Sequence, residues 1–518
     1  MTKRHPTNLV DFLEYGAVMS APEKKCFVDQ ERSYSLKQIR AAARGIGAAI
    51  VNNTDVLNHP VATFLPKSAE TLIADLGIFY SGNFYINLDM QTPAERMQLL
   101  LENIDPAVIL TSSTYKQHLL DYGVADHIII ECDQLLNGHS DAPDVSKLDQ
   151  RREQILDTDP ACIINTSGST GIPKSAVLSH RSIIDFMLWH QQTYPLDQSD
   201  VIGSLSPYHF DGYIVGFYSA VWQGACLNVT PSSLAMFPRR LAEYLRDESI
   251  TFIFWVPTIM VNMAITDALL DIQLPQLRHV GFAGEVFPVR HLNYWRERIP
   301  RADYVNYYGP IEIAIICTHY KVDREFKEEE NIPIGYSCNN AGVLILDEDD
   351  SPCPAGKQGE LCIRGCGLAH GYWKNQEATN HAFVQNPLNL NYPEKIYRTG
   401  DIVIKNEQGE LSFIGRKDFQ IKHQGFRIEL GEIENACLTL SKINNASVLY
   451  QRNQKQIVLV YEGESPIPPA EIRTELAAIL PKYMLPTGFH HIEAMPMNPN
   501  GKIDRNALQL IIDGGIAK

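Results

Sequence analysis

The sequence predicts an α/β protein with a large N-terminal domain of several subdomains, in which mixed sheets accompany a small β-barrel-like part, and a small α+β C-terminal domain. Two observations indicate this fold class. Short apolar runs alternate with helical patterns over about the first four hundred residues, and hairpin patterns take over from Val343. The length of 518 residues agrees, because it corresponds to roughly three to four folding units.

The α/β part is predicted from apolar runs that have the length and β-branched content of strands. These runs are AVILT (107–111), ACIIN (161–165), TFIFWV (251–256) and HVGFAG (279–284). Runs that are apolar throughout are typical of parallel strands covered on both faces. One helix start is marked by Thr92, Pro93 and Glu95 ahead of MQLLL, since this order forms a capping box with proline in the first turn.

The C-terminal third changes character twice. From Val343 the segments VLILDEDD, GELCIRG and DIVIKNEQGELSFIG alternate like strands, and the turn 406–409 joins two of these runs, which predicts an antiparallel subdomain. The charged segment GRKDFQIKHQGFRIELGEIE (415–434) then leads from a hairpin into a helix. We therefore predict a boundary near Asp418, with an N-terminal core over 1–417 and a C-terminal domain over 418–518.

Charge and composition exclude several function classes. Lys and Arg number 45 against 61 Asp and Glu, and the resulting charge of −16 disfavours nucleic acid and anionic membranes as partners unless a local basic patch intervenes. The N-terminus has no continuous apolar region, and no run of eighteen apolar residues occurs. The 10 cysteines include no CxxC pair, so neither a disulfide framework nor a zinc site is indicated. We expect a cytoplasmic protein.

The sharpest chemical signal is TSGSTGIPKS, which directly follows the apolar run ACIIN. Backbone N–H groups and hydroxyls in such a run can converge on phosphate oxygens, and a lysine adds positive charge. The spacing is not GxxxxGK[ST], and Ser167 stands where a GxSxG elbow needs its first glycine. The segment alone leaves a simple flexible loop open. The predicted phosphate-binding residues are Thr166, Ser167, Gly168, Ser169, Thr170, Gly171 and Lys174.

Three later segments offer further polar groups. In NYYGPIE (306–312), Tyr308 has a flat face suited to a base and Glu312 is a hard oxygen ligand suited to Mg²⁺. In YRTGD (397–401), Asp401 follows a glycine turn and can accept both hydroxyls of a ribose, while NGKIDR (500–505) presents Lys502. Taken singly, each of these segments is equally an ordinary turn.

Together the motifs resemble the adenylate-forming enzymes, the superfamily of nonribosomal-peptide adenylation domains, acyl-CoA ligases and luciferases. The resemblance runs from about Tyr34 to Arg505 and rests on the ordered segments TSGSTGIPK, FDGY, NYYGPIE, GELCIRGCGLAHGYW, YRTGD, GRKDFQIKHQGFRIELGEIE, LPKYM and NGKIDR. It implies ATP and Mg²⁺ as cofactors, a carboxylate activated as an acyl-adenylate with loss of pyrophosphate, and transfer of the acyl group to a thiol. It also implies that the C-terminal domain is mobile.

The resemblance assigns roles residue by residue. Glu312 is the implied Mg²⁺ ligand, Lys502 and Arg416 the other catalytic residues, and Asp418 the hinge. The implied nucleotide contacts, besides the phosphate-binding residues, are Gly284, Glu285, Asn306, Tyr307, Tyr308, Gly309, Asp401 and Arg416.

Asp211 in FDGY separates two branches of the superfamily. In the amino-acid-activating branch an aspartate here pairs with the substrate ammonium, whereas a ligase for plain acids has no use for a buried unpaired carboxylate. An ordinary N-cap for the following helix is the alternative. By resemblance the pocket comprises Asp211, Gly212, Val215, Phe254, Gly281, Ala283, Tyr307, Ile315, Ile316 and Lys502. Apart from its two charges the lining is apolar, which favours a small or medium neutral amino acid such as alanine, proline or valine.

Two positions depart from the family pattern: Ile311 replaces the usual threonine of YGPTE, and Ser175 replaces the glycine that usually follows Pro-Lys. The 518 residues hold no carrier-protein serine motif and no condensation motif, so we expect the chain to load a separate phosphopantetheinyl carrier protein in trans. GEVFP and the overall length resemble stand-alone D-alanine- and L-proline-carrier-protein ligases of secondary-metabolite and related pathways. An acyl-CoA ligase for a small carboxylic acid and a catalytically silent ATP-binding paralogue are the alternatives.

Overall fold

The structure is a computed structural model that describes residues 6–136, 145–166, 173–417, 420–452, 454–497 and 503–513. The chain divides into two compact units. The first contains residues 1–90, 105–165 and 175–417, and the second contains residues 91–104, 166–174 and 418–518.

The strands, numbered in chain order, supply the sheets of both units. They are β1 (Lys25–Val28), β2 (Ser33–Ser35), β3 (Pro60–Phe64), β4 (Phe84–Asn87), β5 (Val108–Thr111), β6 (Ile129–Glu131), β7 (Pro160–Thr166), β8 (Lys174–Ser179), β9 (Val201–Ser204), β10 (Cys226–Val229), β11 (Phe252–Trp255), β12 (His279–Ala283), β13 (Asp303–Tyr308), β14 (Thr318–Lys321), β15 (Tyr336–Ser337), β16 (Ala341–Leu346), β17 (Gln358–Gly365), β18 (Phe383–Gln385), β19 (Lys395–Lys405), β20 (Leu411–Arg416), β21 (Gln420–His423), β22 (Phe426–Glu429), β23 (Asn445–Gln451), β24 (Gln456–Glu462) and β25 (Gly488–Ile492).

The helices are numbered in the same way. They are α1 (Val10–Glu14), α2 (Leu36–Asn53), α3 (Ala69–Tyr80), α4 (Ala94–Ile104), α5 (Lys116–Asp121), α6 (Asp133–Leu136), α7 (Val145–Gln154), α8 (His180–Thr193), α9 (Ile214–Gln223), α10 (Pro238–Asp247), α11 (Pro257–Ile265), α12 (Val289–Arg298), α13 (Gln376–Ala382), α14 (Leu430–Leu438), α15 (Pro469–Ala477) and α16 (Arg505–Ile512). Helix α2 begins at a capping box, in which the Ser35 side chain accepts from the Gln38 backbone N–H while the Gln38 side chain accepts from the Ser35 N–H.

The first unit is built on a nine-stranded sheet in the order β15-β14-β13-β12-β11-β9-β10-β1-β2. Strands β1, β10, β9, β11, β12 and β13 pair in parallel, and β14 and β15 extend the sheet in antiparallel pairing. A six-stranded sheet in the order β6-β5-β3-β4-β7-β8 contains parallel pairs as well. The helices between these strands, such as α3 and α9, are buried on most of their residues, as expected for layers on both faces of a parallel sheet.

The end of the first unit is antiparallel. Strands β16, β17, β19 and β18 form the path of a five-stranded sheet, and β20 pairs with β19 through a hairpin whose turn contains Gly409 at a φ of 86°. The antiparallel subdomain predicted from Val343 onward is therefore confirmed, including its turn at 406–409.

The second unit has its own small core. Strands β23, β24 and β25 form a three-stranded sheet that packs with α14 and α15 around Ile433, Val448 and Leu459, all fully buried. A two-stranded ribbon of β21 and β22 precedes α14. The Arg96 guanidinium of α4 forms an ion pair with the buried Glu432 carboxylate of α14.

The α/β prediction is confirmed, because each of the four apolar runs coincides with a strand of a partly parallel sheet: β5, β7, β11 and β12. The division of function between residues 1–417 and 418–518 stays a prediction. Among the described residues, no helix combines the length and apolarity that crossing a membrane requires.

One buried histidine makes the stability of the first unit depend on pH. His180, at the start of α8, is 1% exposed, and its Nδ1 accepts the Leu9 backbone N–H at 3.2 Å. Burial lowers the pKa of His180 to about 3. Since an unfolded histidine titrates near pH 6.5, the unfolded chain binds the extra proton first, and stability contributed by neutral His180 is lost as the pH falls from about 6.5 toward 3.

We therefore expect His180→Asn, which keeps an acceptor near Nδ1 but cannot titrate, to flatten the acid-side loss of stability. The free energy of unfolding of the parent chain should fall more steeply between pH 6 and 4 than that of the variant, by up to about 1.4 kcal/mol per pH unit. Urea unfolding at several pH values measures this difference, with the exposed His118→Asn as the matched control. Parallel pH profiles for the parent and His180→Asn would contradict the expectation.

Candidate active site

Several predicted site residues lie at one edge of the nine-stranded sheet. Strands β9, β11, β12 and β13 run in parallel, so their carboxyl ends meet at that edge. The segment 205–213 follows β9, Gly284 and Glu285 follow β12, and Gly309 follows β13. Ligands of open parallel sheets generally bind at this edge.

A pair of aromatic rings lies beside a glycine near this edge. The rings of Phe254 and Tyr307 meet edge-to-face with centroids 5.5 Å apart. A Cβ on Gly281 would come within 2.9 Å of both rings, and a Cβ on Gly212 would approach Phe254 at 3.7 Å. Gly281 therefore allows both rings to lie close to the sheet, and the structure brings these four predicted pocket residues together.

The other apolar residues of the predicted pocket belong to the same packed region. Val215, Tyr307, Ile315 and Ile316 are buried members of one hydrophobic cluster, and Phe254 and Ala283 pack against it. This clustering agrees with a common lining. Lys502, the remaining predicted pocket residue, lies outside the described residues.

Asp211 is half-buried, in the segment between β9 and α9. Its backbone carbonyl accepts from Ile214 N–H at 3.0 Å, but the N-cap of α9 is Tyr213, without a side-chain capping bond. The alternative, that Asp211 is the N-cap of this helix, is therefore wrong.

The turn after NYYGPIE is strained. Ala314 and the β-branched Ile315 have φ values of 50° and 78°, a left-handed conformation that β-branched residues rarely adopt. Gly309 is required beside this turn, because a Cβ there would lie 2.3 Å from the Ile315 carbonyl oxygen. The backbone next to the predicted pocket is thus held in a conformation that packing must maintain.

The predicted base-stacking and ribose-binding residues contact each other directly. The Tyr308 hydroxyl donates to Oδ2 of Asp401, and Arg416 Nη1 lies 2.6 Å from Oδ1 of the same carboxylate. Asp401 is buried, and the Asp401 N–H donates to the Thr399 hydroxyl at 3.0 Å. Burial, followed by the Asp401 charge, raises the pKa of Tyr308 well above its usual value, so this phenol stays a donor. The three side chains form one buried hydrogen-bonded group.

Glu312, the predicted Mg²⁺ ligand, is fully buried, and its carboxylate accepts from the Tyr372 hydroxyl at 2.8 Å. Ile311 beside it is 6% exposed and belongs to the same cluster as Val215. An isoleucine satisfies this apolar surrounding without the partner that a buried threonine hydroxyl would need. The second departure is also explained, because the buried Ser175 hydroxyl donates to Asn165 Oδ1 at 2.7 Å.

Hydrogen bonds to neighbouring segments hold the predicted adenine contacts in place. The Glu285 carboxylate accepts from both the backbone N–H and the hydroxyl of Thr258 at the start of α11, at 2.9 and 2.5 Å. The Asn306 amide donates to the Pro333 carbonyl at 2.8 Å. Gly284 has a φ of 92°, a conformation that favours glycine.

Of the predicted phosphate-binding loop, the structure describes the two ends. Thr166 Oγ1 donates to the Lys174 carbonyl at 3.3 Å, and Lys174 Nζ lies 3.3 Å from the Glu429 carboxylate. The other members fall outside the described residues, as do the predicted hinge and catalytic lysine: Ser167, Gly168, Ser169, Thr170, Gly171, Asp418 and Lys502. Their roles, like those of the other site residues, stay predictions.

Sequence reasoning did not identify two residues that order the site. Tyr372 fixes Glu312, and Thr258 fixes Glu285. A proline followed by threonine at a helix start is a usable signal for Thr258. Tyr372 lies 60 residues from Glu312 along the chain, and no spacing rule connects such a pair.

The described residues suit a nucleotide with a divalent cation. Asp401 offers a carboxylate fixed by Arg416, and Glu312 offers a second, separate carboxylate. In the part of the chain that the structure describes, no group of three or more His, Cys, Asp or Glu side chains forms a metal cage. Mg²⁺ needs no such cage, since it commonly takes one or two carboxylates together with substrate phosphates and water.

Comparisons with known proteins agree with this geometry. The family of AMP-binding enzymes matches residues 16–373. Tyrocidine synthase 1 of Brevibacillus parabrevis is 31% identical over 490 residues, which cover 94% of this chain but 43% of that protein. The chain thus spans less than half the length of this relative.

Two solved structures share the fold. The adenylation domain AlmE of Vibrio cholerae, solved with glycyl-adenosine-5′-phosphate, superposes with a TM-score of 0.82 at 23% identity and 97% coverage of each chain. An artificially fused adenylation–PCP di-domain from Klebsiella oxytoca gives a TM-score of 0.79 at 19% identity, covering 98% of this chain and 95% of that one.

The fold is thus the one that a solved adenylation domain has. The family match extends over more than half of this chain, so the chain belongs to the AMP-binding enzyme family. Enzymes of this family use ATP.

We expect Asp401→Asn to weaken binding of AMP and ATP by about 10- to 100-fold, because a neutral amide replaces a charged acceptor whose hydrogen bonds are worth about 1.5–3 kcal/mol. Isothermal titration with AMP measures the change, and a melting curve shows whether Arg416 without its partner lowers stability. The exposed Asp349→Asn is the matched control. Unchanged affinity in folded Asp401→Asn would contradict a ribose-binding role.

Proposed function

We propose that this protein activates a small or medium neutral amino acid with ATP. The amino acid carboxylate attacks the α-phosphorus, the bond to the β-phosphate breaks, and an aminoacyl-adenylate and pyrophosphate result. The aminoacyl group then passes to the phosphopantetheine thiol of a separate carrier protein, and AMP leaves.

The observation that carries the proposal is the position of Asp211 relative to the apolar cluster. Asp211 precedes Gly212, whose Cα faces the Phe254 ring, and Val215 of the same segment lies in the cluster with Tyr307, Ile315 and Ile316. A carboxylate at the border of an apolar lining suits a ligand with an ammonium at one end and a neutral side chain at the other. A charged side chain would remain unpaired in that lining.

The first step brings two anions together, so positive charge and oriented donors are the main requirement. We assign Lys174 and the preceding hydroxyl and glycine residues to the β- and γ-phosphates, and Lys502 to the substrate carboxylate. Asp401, fixed by Arg416, takes the ribose hydroxyls, and Tyr308 stacks on the adenine. A bound Mg²⁺, held by Glu312, supplies charge neutralisation on the phosphates. Asp418 is assigned as the hinge about which the C-terminal domain rotates between the two half-reactions.

The relatives support the choice of substrate and acceptor. AlmE is an adenylation domain solved with a glycyl-adenylate, in which the aminoacyl group is small and neutral. The Klebsiella oxytoca structure joins an adenylation domain to a PCP domain. Both facts support an aminoacyl-adenylate and a carrier thiol for this chain, while the preference over coenzyme A and a plain acid depends on Asp211.

Amino-acid-dependent ATP–pyrophosphate exchange tests the first half-reaction. With the twenty standard amino acids, D-alanine and β-amino acids as candidates, we expect exchange with one or a few small neutral compounds and none with charged ones. Folded protein that binds ATP but exchanges with no amino acid would instead identify a silent paralogue. Exchange with a plain carboxylic acid in preference to every amino acid would identify an acyl-CoA ligase.

The role of Asp211 is tested by replacing it. We expect Asp211→Ala to lower kcat/KM for the amino acid by about 100-fold or more, because the substrate ammonium loses its charged partner. The KM for ATP should change little. The exposed Asp271→Ala is the matched control, and full activity of Asp211→Ala would contradict the assignment.

The second half-reaction is tested with separate acceptors. We expect aminoacylation of a phosphopantetheinylated carrier protein, seen as a mass increase, and no product with coenzyme A. Lys502→Ala should lose exchange by about 100- to 1,000-fold, as typically follows loss of one preorganised charge. The same variant should still transfer the aminoacyl group from a supplied aminoacyl-adenylate. Equal loss of both half-reactions would contradict a role for Lys502 in adenylation alone.

A further inference from the structure

The segment that carries Asp211 connects a strand to a helix. It comprises residues 205–213, between the end of β9 and the start of α9. Within it the Phe210 N–H donates to the Pro207 carbonyl at 3.3 Å, and the N–H of Ile214, the first residue of α9, donates to the Asp211 carbonyl at 3.0 Å. Side chains from other elements also contact the segment and help to set the position of Asp211.

Lys67 fastens the start of the segment. This lysine stands between β3 and α3, and its ammonium donates to the carbonyls of Ser204, Leu205 and Thr230 at 2.7, 2.9 and 2.8 Å. The three carbonyls use all three N–H groups of the ammonium, so Lys67 ties the ends of β9 and β10 to the preceding sheet. Burial lowers the pKa of Lys67 to about 7.

Asn87, the last residue of β4, fastens the middle and the end of the segment. Its amide nitrogen lies 3.2 Å from the Tyr208 carbonyl, 3.2 Å from the Tyr213 hydroxyl and 3.1 Å from Oδ2 of Asp75. Its Oδ1 accepts from the Thr63 hydroxyl. One side chain from the six-stranded sheet thus contacts the segment three residues before Asp211 and two residues after it.

Tyr213 and Asp75 complete the buried group. The Tyr213 hydroxyl donates to the Tyr85 hydroxyl at 2.9 Å and lies 3.5 Å from Asp75 Oδ2. Asp75 is fully buried in α3, and burial raises its pKa well above the usual value, although hydrogen bonds from Asn87 and Tyr213 lower it. Among the described residues, its Oδ1 has no hydrogen-bond partner. Its Oδ2 acts as the acceptor for the Asn87 amide.

Asp211 lies along the chain between Tyr208 and Tyr213, the two residues that Asn87 contacts. Burial raises the pKa of the Cys162 thiol, a hydrogen bond with Tyr85 lowers it, and the charges of Asp75 and Asp211 raise it further. Even a displacement of about 1 Å in a binding carboxylate is enough to cost a large factor in activity.

We propose that Lys67, Asp75, Asn87 and Tyr213 are positioning residues that hold Asp211 where it meets the substrate ammonium, and so set the preference for amino acids over acids without an amino group. This inference rests on the proposed function. In this proposal the four residues act through the segment, which they hold at its start, middle and end.

Tyr213→Phe tests the proposal, since it removes one hydroxyl and keeps the ring. We expect the KM for the best amino acid to rise on the order of 10-fold, with kcat and the KM for ATP within about twofold. The ratio of kcat/KM for the amino acid to that for the same acid without its amino group should fall by a similar factor. Tyr304→Phe is the matched control, because it removes two hydrogen bonds of a buried tyrosine elsewhere in the first unit.

Asp75 supplies a second pair of variants. Asp75→Asn keeps a neutral acceptor and should match the parent within about twofold, whereas Asp75→Leu removes the acceptor and should raise the KM for the amino acid as Tyr213→Phe does. A merely structural role would lower the stability of Asp75→Leu and Tyr213→Phe. It would not change the ratio of kcat/KM for the amino acid to kcat/KM for the same acid without its amino group. If the parent exchanges pyrophosphate with an amino acid but the ratio is unchanged in Tyr213→Phe, the inference is wrong and the proposed function stands. If the parent activates no amino acid, both fail.

Discussion

The parallel pairing of β9, β11, β12 and β13 is the constraint on which the rest of the site depends. Parallel strands end at the same edge, so four segments that are distant in the sequence reach one place without any of them being long. The register sets the details, because Phe254 lies beside Gly281 and Ala283 beside Tyr307. The missing side chain at Gly281 lets two aromatic rings close against the sheet.

Each carboxylate with a predicted binding role in the following list has a hydrogen-bond or ion-pair partner. Asp401 has Arg416 and Tyr308, Glu312 has Tyr372, and Glu285 has Thr258. A buried carboxylate without such partners would lose its charge, which would defeat a role in binding cations or hydroxyls. Asp75 is partnered as well, by the Asn87 amide and the Tyr213 hydroxyl, and its burial raises its pKa well above the usual value.

Much of the fold could be predicted from the sequence, but less of the site could. Apolar runs such as TFIFWV identify strands because a strand buried on both faces needs apolar side chains throughout. The hairpin at 406–409 could be predicted because its turn residues are local. By contrast, Tyr308 and Asp401 lie 93 residues apart, and Asn87 and Tyr213 lie 126 apart. Such pairs arise from tertiary packing, and residue type alone does not distinguish a partner from a solvated polar side chain.

The strained turn at Ala314 and Ile315 connects the predicted lining with the Tyr308–Asp401 group. A β-branched residue at a φ of 78° costs on the order of 1–3 kcal/mol and persists only where its surroundings leave no alternative. Here the surroundings are the buried cluster that holds Ile315 and Ile316, together with Gly309, whose missing Cβ admits the Ile315 carbonyl. Relaxing the turn would move two residues of the predicted lining out of the cluster and would also disturb Gly309, next to Tyr308. The shape of the lining and the position of the Tyr308–Asp401 group are therefore coupled through one short piece of backbone.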